Sequence, residues 1–263
     1  MREIPLYSFD SFTDRLFAGN PAAVCPLESW LDDQTLLAIA AENNLSETAF
    51  FVPENGAYRL RWFTPAVEVD LCGHATLATA HYLFSEAGIE ADQLRFETRS
   101  GELRVSRNGE LLSMDFPARP STPVPREAAV ADAVGVSPQA VYESAGKYLA
   151  VFDSENTVRG MAPDFRAVEA LGVHGVIVTA PGDAVDFVSR FFAPAMGIPE
   201  DPVTGSAHCT LTPYWVDRLD KNPLSARQVS KRGGWLECEL AGDRVHISGR
   251  AVLYARGVIQ LPG

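Results

Sequence analysis

The sequence predicts an α+β protein of two pseudo-symmetric lobes, each a curved mixed or antiparallel sheet around one central buried helix, with the active site between the lobes. Three observations predict it. The opening segments read strand, strand, helix, strand, strand, which departs from the strand–helix alternation of a doubly wound parallel sheet. A weak internal repeat relates the halves: Arg61-Trp62-Phe63-Thr64-Pro65-Ala66 leads to Cys72-Gly73-His74-Ala75, and Arg190-Phe191-Phe192-Ala193-Pro194-Ala195 leads to Thr204-Gly205-Ser206-Ala207. The second copy carries three extra residues between its arginine and its glycine. Finally, residues 75–84 and 207–216 are apolar on nearly every side, and a helix of that kind must be enclosed by protein.

Taken in order, residues 4–9 alternate as a half-buried strand does. Residues 10–20 are turn-rich and end in the break Gly19-Asn20-Pro21; residues 22–25 form a second short strand. Residues 31–42 have helical spacing, with Leu36, Leu37, Ile39 and Ala40 as the apolar stripe, and Asn43-Asn44 ends them. Residues 48–52 and 58–63 are β-rich. The stretch 117–125, PARPSTPVP, carries four prolines, which fix the backbone and remove donors, so it reads as the linker. It divides the chain into a lobe of residues 1–117 and a lobe of residues 118–263, with the last strand free to return to the first lobe.

The formal net charge of −12 supplies no basic footprint for phosphate, which excludes nucleic acid as a partner and disfavours an anionic membrane. A small anionic substrate remains possible, because backbone dipoles at helix starts bind anions locally. The four cysteines form no CxxC pair and fit no zinc or disulfide framework, as expected of reduced thiols in a cytoplasmic protein. The opening residues MREIPLYSFDSF lack the apolar core of a secretion signal, and no apolar run approaches the roughly 20 residues needed to span a bilayer. None of the five histidines has the paired spacing of a zinc helix, and no GxGxxG, Walker or GxSxG motif occurs, so neither a metal nor a cofactor is expected.

The chemistry-bearing candidates lie around the repeat. Leading N–H groups of a helix lack internal partners and carry partial positive charge, so helix starts at Gly73 and Gly205-Ser206 suit a carboxylate. Ordinary capping is the competing reading. Glu47 opens a strand whose Ala49 and Phe51 share its face; a carboxylate there loses hydration, which suits an acid/base near neutral pH. On spacing alone a solvated strand-end glutamate is the better reading. Asp201, a few residues before the second helix, reads either as a partner for a substrate ammonium or hydroxyl group or as a loop cap before proline. His74 reads as a catalytic or a structural first-turn histidine, with Asp70 as a residue that orients it.

Four blocks, DSFTDRLFAGNPAAV (10–24), NLSETAFF (44–51), LRWFTPAVEVDLCGHATLATAHYL (60–83) and RFFAPAMGIPEDPVTGSAHCTLTPYW (190–215), resemble the phenazine-biosynthesis PhzF-like family in order and spacing across nearly the whole chain. The resemblance implies a diaminopimelate-epimerase-like fold, two barrel-like lobes each around a central helix, and a homodimer. It implies a cofactor-independent isomerase acting on a small carboxylate-bearing substrate. Glu47 matches the family's catalytic glutamate. His74 and Asp201 match the polar residues flanking the substrate. Ser206, with the backbone of Gly73 and Gly205, matches the carboxylate-binding region. In the phenazine enzyme the glutamate moves a proton between two ring carbons, on one face of a dihydro-hydroxyanthranilate. Diaminopimelate epimerases use two facing cysteines; here Cys72 stands at the first position and Thr204 at the second. A threonine hydroxyl is too weak an acid for a two-base exchange. An amino-acid racemase or epimerase, and a non-catalytic carboxylate-binding protein of the same fold, are the alternatives. Residues 228–234, QVSKRGG, are expected to line the cleft and tune specificity.

Overall fold

The computed structural model describes residues 2–261. It is α+β and falls into two compact units. One takes the chain up to Asp115 and again from Ser248; the other is Phe116–Ile247. The first unit contains β1 (Arg2–Ser11), β2 (Asn20–Pro26), α1 (Asp33–Asn43), β3 (Glu47–Glu54), β4 (Ala57–Phe63), β5 (Glu68–Val69), α2 (Gly73–His81), β6 (Gln93–Thr98), β7 (Gly101–Asn108) and β8 (Leu111–Pro117). The second contains β9 (Thr122–Pro123), α3 (Glu127–Val134), β10 (Ala140–Ser144), β11 (Lys147–Val151), α4 (Glu155–Gly160), α5 (Phe165–Ala170), β12 (Gly175–Pro181), β13 (Phe187–Ala193), β14 (Ile198–Asp201), α6 (Gly205–Leu219), β15 (Leu224–Gln228), β16 (Gly234–Ala241) and β17 (Arg244–Gly249). The final strand, β18 (Ala251–Leu261), pairs antiparallel with β1 in the first unit.

The pairing of strands repeats from unit to unit. In the first, β18, β1 and β2 run antiparallel in turn, β2 and β3 are parallel, and β3 and β4 antiparallel. The short β5 then lies against the end of β4, while β6 pairs parallel with β4 and antiparallel with β7. In the second, β9, β10 and β11 run antiparallel, β11 and β12 are parallel, and β12 and β13 antiparallel. The short β14 lies against the end of β13, while β15 pairs parallel with β13 and antiparallel with β16. In this succession β18 is the first unit's counterpart of β9. An uncovered strand edge is a pairing hazard, and β18 covers that edge of β1.

Each unit encloses one helix. Every residue of α2 from His74 to Ala80 is buried, and α6 buries Ala207 through Thr212 and Trp215. Both helices differ from the sequence boundaries. The first begins at Gly73 and gives way at Tyr82–Glu86 to one π-helical turn; the second runs on to Leu219. The proline-rich 117–125 stretch is also not a free linker. Thr122 and Pro123 pair with Glu143 and Tyr142, and the Arg119 N–H donates to the Cys209 carbonyl at 2.9 Å. Proline is tolerated there because β9 is only two residues long and lies at a sheet edge.

The repeated sequence segment becomes a repeated device. Arg61 donates through Nε and Nη2 to both Glu68 oxygens at 2.7 and 2.6 Å, and its guanidinium lies over the Phe63 ring at 5.0 Å. Arg190 donates through Nε and Nη2 to both Glu200 oxygens at 2.7 and 2.9 Å, and lies over Phe192 at 4.8 Å. In both units the fork ties the long strand to the short strand that feeds the central helix. Arg190 also donates to the carbonyls of Val158 and Met161 at 3.1 and 2.8 Å. Arg190→Met strands a part-buried carboxylate and two carbonyls and is expected to lower the unfolding free energy by about 2–4 kcal/mol. In urea titration, Arg190→Met/Glu200→Leu recovers more than half of that loss; equal losses for the single and double variants would contradict the pairing energetics.

Candidate functional site

At the start of α2, Cys72 is the extended N-cap residue, and its side chain makes no capping hydrogen bond. Its sulfur instead lies 3.5 Å from Nδ1 and 4.0 Å from Nε2 of His74. His74 is held from three further directions. Its carbonyl accepts from the Ser11 hydroxyl at 2.8 Å, its Nδ1 lies 3.2 Å from the Asn20 amide, and its Nε2 lies 3.1 Å from Glu47 Oε2. Glu47 reaches this point because β3 pairs parallel with β2, placing Glu47 opposite Ala22, two residues beyond Asn20. Gly19 places Asn20 in turn. Its φ is +64°, and a Cβ there would stand 2.1 Å from the Ser11 carbonyl oxygen, so only glycine fits.

The Glu47 side chain is 12 % exposed, and its Oε2 is buried without a hydrogen bond. The His74 contact is close enough for an ion pair, yet its angle lies outside hydrogen-bond geometry. Burial opposes charge on His74, but the Cys72 sulfur and the Glu47 carboxylate outweigh it and hold the imidazole well above its usual range. Burial, reinforced by the Glu47 charge, pushes the Cys72 thiol up to about 11. Cys72 is therefore a neutral thiol near pH 7, and Glu47 is the charged partner that matters for His74.

The Asn20 amide refines this. With its nitrogen toward Nδ1, Nδ1 accepts and the ring proton sits on Nε2, facing Glu47. A second proton on Nδ1 requires the amide to turn over and offer its oxygen. The Ser46 hydroxyl, 3.4 Å from Asn20 Oδ1, serves either orientation, because it both donates and accepts. Both states keep a proton on Nε2 beside the carboxylate.

The start of α6 is built differently. Thr204 is the extended N-cap, and it too makes no side-chain cap. Its hydroxyl donates to Asp201 Oδ2. Gln228 clamps the same turn: its Oε1 accepts from the Thr204 N–H at 2.8 Å, and its Nε2 donates to the Asp201 carbonyl at 2.7 Å. One turn on, His208 lies against the Thr204 carbonyl through Nδ1 at 2.8 Å, and burial drops its pKa to about 4, so it stays neutral. Gly205 is buried and Ser206 half-buried on the first turn.

Of the residues singled out in the sequence, Glu47, Cys72, Gly73 and His74 come together in the first unit, and Asp201, Thr204, Gly205 and Ser206 in the second. Asp70 does not orient His74. It is exposed, and its carbonyl accepts from Ser100 at 2.7 Å, because it sits in the bend after β5, ahead of the helix; Ser11 and Asn20 hold His74 instead. Gln228 is buried and takes a structural role at the second helix start rather than lining a surface. Asn20 and Ser11 escaped the sequence reading as site residues, although the Gly19-Asn20-Pro21 break marked the place. Among the described residues, no helix is long and apolar enough to cross a membrane.

The family model described as phenazine biosynthesis-like protein matches residues 9–257. A Pseudomonas aeruginosa protein named an uncharacterized isomerase is 53 % identical over 259 residues, covering 98 % of this chain and all of its own. A human phenazine biosynthesis-like domain-containing protein is 40 % identical over 285 residues, covering 98 % of this chain and 99 % of its own. The crystal structure of a PhzF-family protein from Enterococcus faecalis superposes with a TM-score of 0.96 at 48 % identity, over 99 % of this chain and 100 % of that one. A hydroxyproline epimerase from Agrobacterium vitis shares the fold alone, with a TM-score of 0.65 at 13 % identity, over 98 % of this chain and 92 % of that one.

Two outcomes are expected of this geometry. By NMR, the His74 imidazole titrates above about 6.5 in the wild type and lower in Glu47→Gln; an unchanged midpoint would remove Glu47 as the cause. Because the folded value is raised, the stabilisation from this pair is complete below about pH 6.5 and is lost as pH rises through the folded value. Asn20→Ala strips His74 Nδ1 of a buried partner and is expected to cost about 1–3 kcal/mol in urea titration.

Proposed function

Since the chain belongs to the phenazine biosynthesis-like (PhzF) family, we propose that it is an isomerase in which Glu47 moves a proton between two carbons of a small carboxylate-bearing substrate. The observation that carries this is the Glu47 carboxylate itself. It is mostly buried, has one oxygen without a hydrogen bond, and lies 3.1 Å from a histidine nitrogen at the start of a central helix. With Oε2 turned to the histidine, the other carboxylate oxygen is the one assigned to take a carbon-bound proton. The Nε2–H of His74 beside it favours the carboxylate before transfer and stays near the carboxyl group once the proton has moved onto it.

The step conserves atoms. Glu47 takes one proton from carbon, the electron pair left behind shifts along a conjugated system, and the same proton returns to a second carbon while a double bond changes place. No electron is gained or lost overall, and the reading needs no redox partner. Gly73, at the start of α2, and Gly205 and Ser206, at the start of α6, are assigned to carboxylate binding. Support comes from both N-cap residues, whose side chains leave the leading N–H groups uncapped. Asp201 is assigned to a polar group of the substrate, with Cys72 lining the same surroundings as Glu47.

An epimerase using two opposed bases is the second reading, favoured by Cys72 standing beside His74. It is weakened at the repeat's other copy, where the hydroxyl of Thr204 already donates to Asp201.

The test is a panel of small carboxylates with an activated C–H bond, deuterated at that carbon and incubated in light water. The wild type is expected to shift the double bond and carry part of the deuterium to the second carbon. Glu47→Gln loses at least about 100-fold in turnover, and more than Cys72→Ser loses. Full turnover by Glu47→Gln would end the proposal; inversion at one carbon with equal losses in both variants would transfer it to the epimerase reading.

A further inference from the structure

Three donors of different chemistry converge in the first unit. One atom each from the Glu47 carboxylate, the Cys72 thiol and the His74 imidazole lie within 4.8 Å of one another. His74 Nε2 is 3.1 Å from Glu47 Oε2 and 4.0 Å from Cys72 Sγ. Bond lengths of about 2.0–2.3 Å to nitrogen, oxygen and sulfur set the donors of a tetrahedral zinc ion roughly 3.3–3.7 Å apart. The two measured edges need to change by only a few tenths of an ångström, and the third already lies within 4.8 Å. Glu47 Oε2, the oxygen facing the histidine, is buried with no hydrogen bond. It faces the His74 Nε2–H at 3.1 Å outside hydrogen-bond geometry, and a zinc ion would take the place of that proton between the two side chains.

We infer that Glu47, Cys72 and His74 form a binding site for a zinc ion, with the fourth coordination position open. Sulfur and imidazole nitrogen select a borderline-soft ion, whereas magnesium and calcium demand oxygen ligands. Binding takes the thiolate and an imidazole that ligates through Nε2, so the thiol proton passes to solvent and the remaining ring proton sits on Nδ1, where the Asn20 amide turns over to accept it; any second ring proton also passes to solvent. The expectation of no metal rested on histidine spacing along a helix. This donor set escapes that rule because it joins a strand end to Cys72 and His74, which flank the first residue of the helix. Zinc here occupies the carboxylate assigned to proton transfer, so it acts as an inhibitor; that consequence alone rests on the isomerase reading.

Metal-free full-length protein titrated with zinc chloride by calorimetry is expected to take up one ion per chain, and magnesium none. Cobalt(II) reports the ligand directly, through a thiolate charge-transfer band that Cys72→Ser abolishes. Cys72→Ser and His74→Asn each weaken zinc at least about 100-fold, with native circular dichroism checked in both; Glu47→Gln provides a third variant if either fails to fold. No zinc uptake at micromolar concentration, or uptake undiminished in folded variants, would overturn the site. The titrations use no substrate, so their failure leaves the isomerase reading standing, and an active Glu47→Gln enzyme leaves the zinc site standing.

Discussion

The guanidinium fork that joins a long strand to a short one, made once in each unit, is the constraint from which the rest of the site follows. Arg61 with Glu68 and Arg190 with Glu200 share the same bidentate geometry, and each guanidinium covers a phenylalanine two residues along its own strand. A fork of this kind fixes direction as well as distance, which a lysine could not do. The short strand it holds leads within four residues to the first turn of a central helix. The backbone there has little freedom left, so the positions of Cys72 and His74, and of Thr204 and Ser206, are set by packing far more than by local propensity. That is the preorganisation a site needs if its hydrogen bonds are to be in place before a ligand arrives.

Much of this architecture was legible in the sequence, for a physical reason. The repeat is visible because both copies must supply an arginine, an aromatic partner, a proline-bearing loop and a small residue at the helix start. The two central helices are visible because total enclosure removes their polar face. What was hidden depends on contacts between distant segments. Asn20 and Ser11 meet His74 across 54 and 63 residues, and Gln228 meets Thr204 across 24. A lone Asn, Ser or Gln carries no pattern that announces such a contact. Asp70 was misplaced by the opposite error: nearness in sequence suggested a contact that the bend after β5 directs into solvent. The proline-rich stretch does lie beside the division between the two units, yet a run that discourages regular structure still supplied a two-residue strand.

The return of β18 bears on how the units fold. The first unit's sheet is complete only when the last residues of the chain have paired with the first, from Arg2 opposite Leu261 to Ser11 opposite Ala251. Ser11 ends that pairing and also donates to the His74 carbonyl. The candidate site therefore reports on closure of the longest-range contact in the molecule. Contacts of such sequence separation form late and slowly, so the second unit, whose strands all lie within Phe116–Ile247 and its immediate borders, is free to order first.

The two helix starts, alike in backbone, are furnished differently, and the difference has chemical meaning. Around Cys72 the groups are titratable and their demands conflict: a carboxylate oxygen lacks a hydrogen bond, a histidine is held toward the charged form, and a thiol is held neutral. Around Thr204 a hydroxyl donates to Asp201 and a glutamine serves both a donor and an acceptor, while the nearest histidine is kept uncharged by burial and its Nε2 lacks a hydrogen bond. A cluster of interacting titratable groups is where acid/base chemistry is most readily placed, and only the first helix start carries one. If both starts served proton exchange, as in a two-base epimerase, each would be expected to carry a titratable group of comparable readiness. The asymmetry argues against equal roles for the two helix starts.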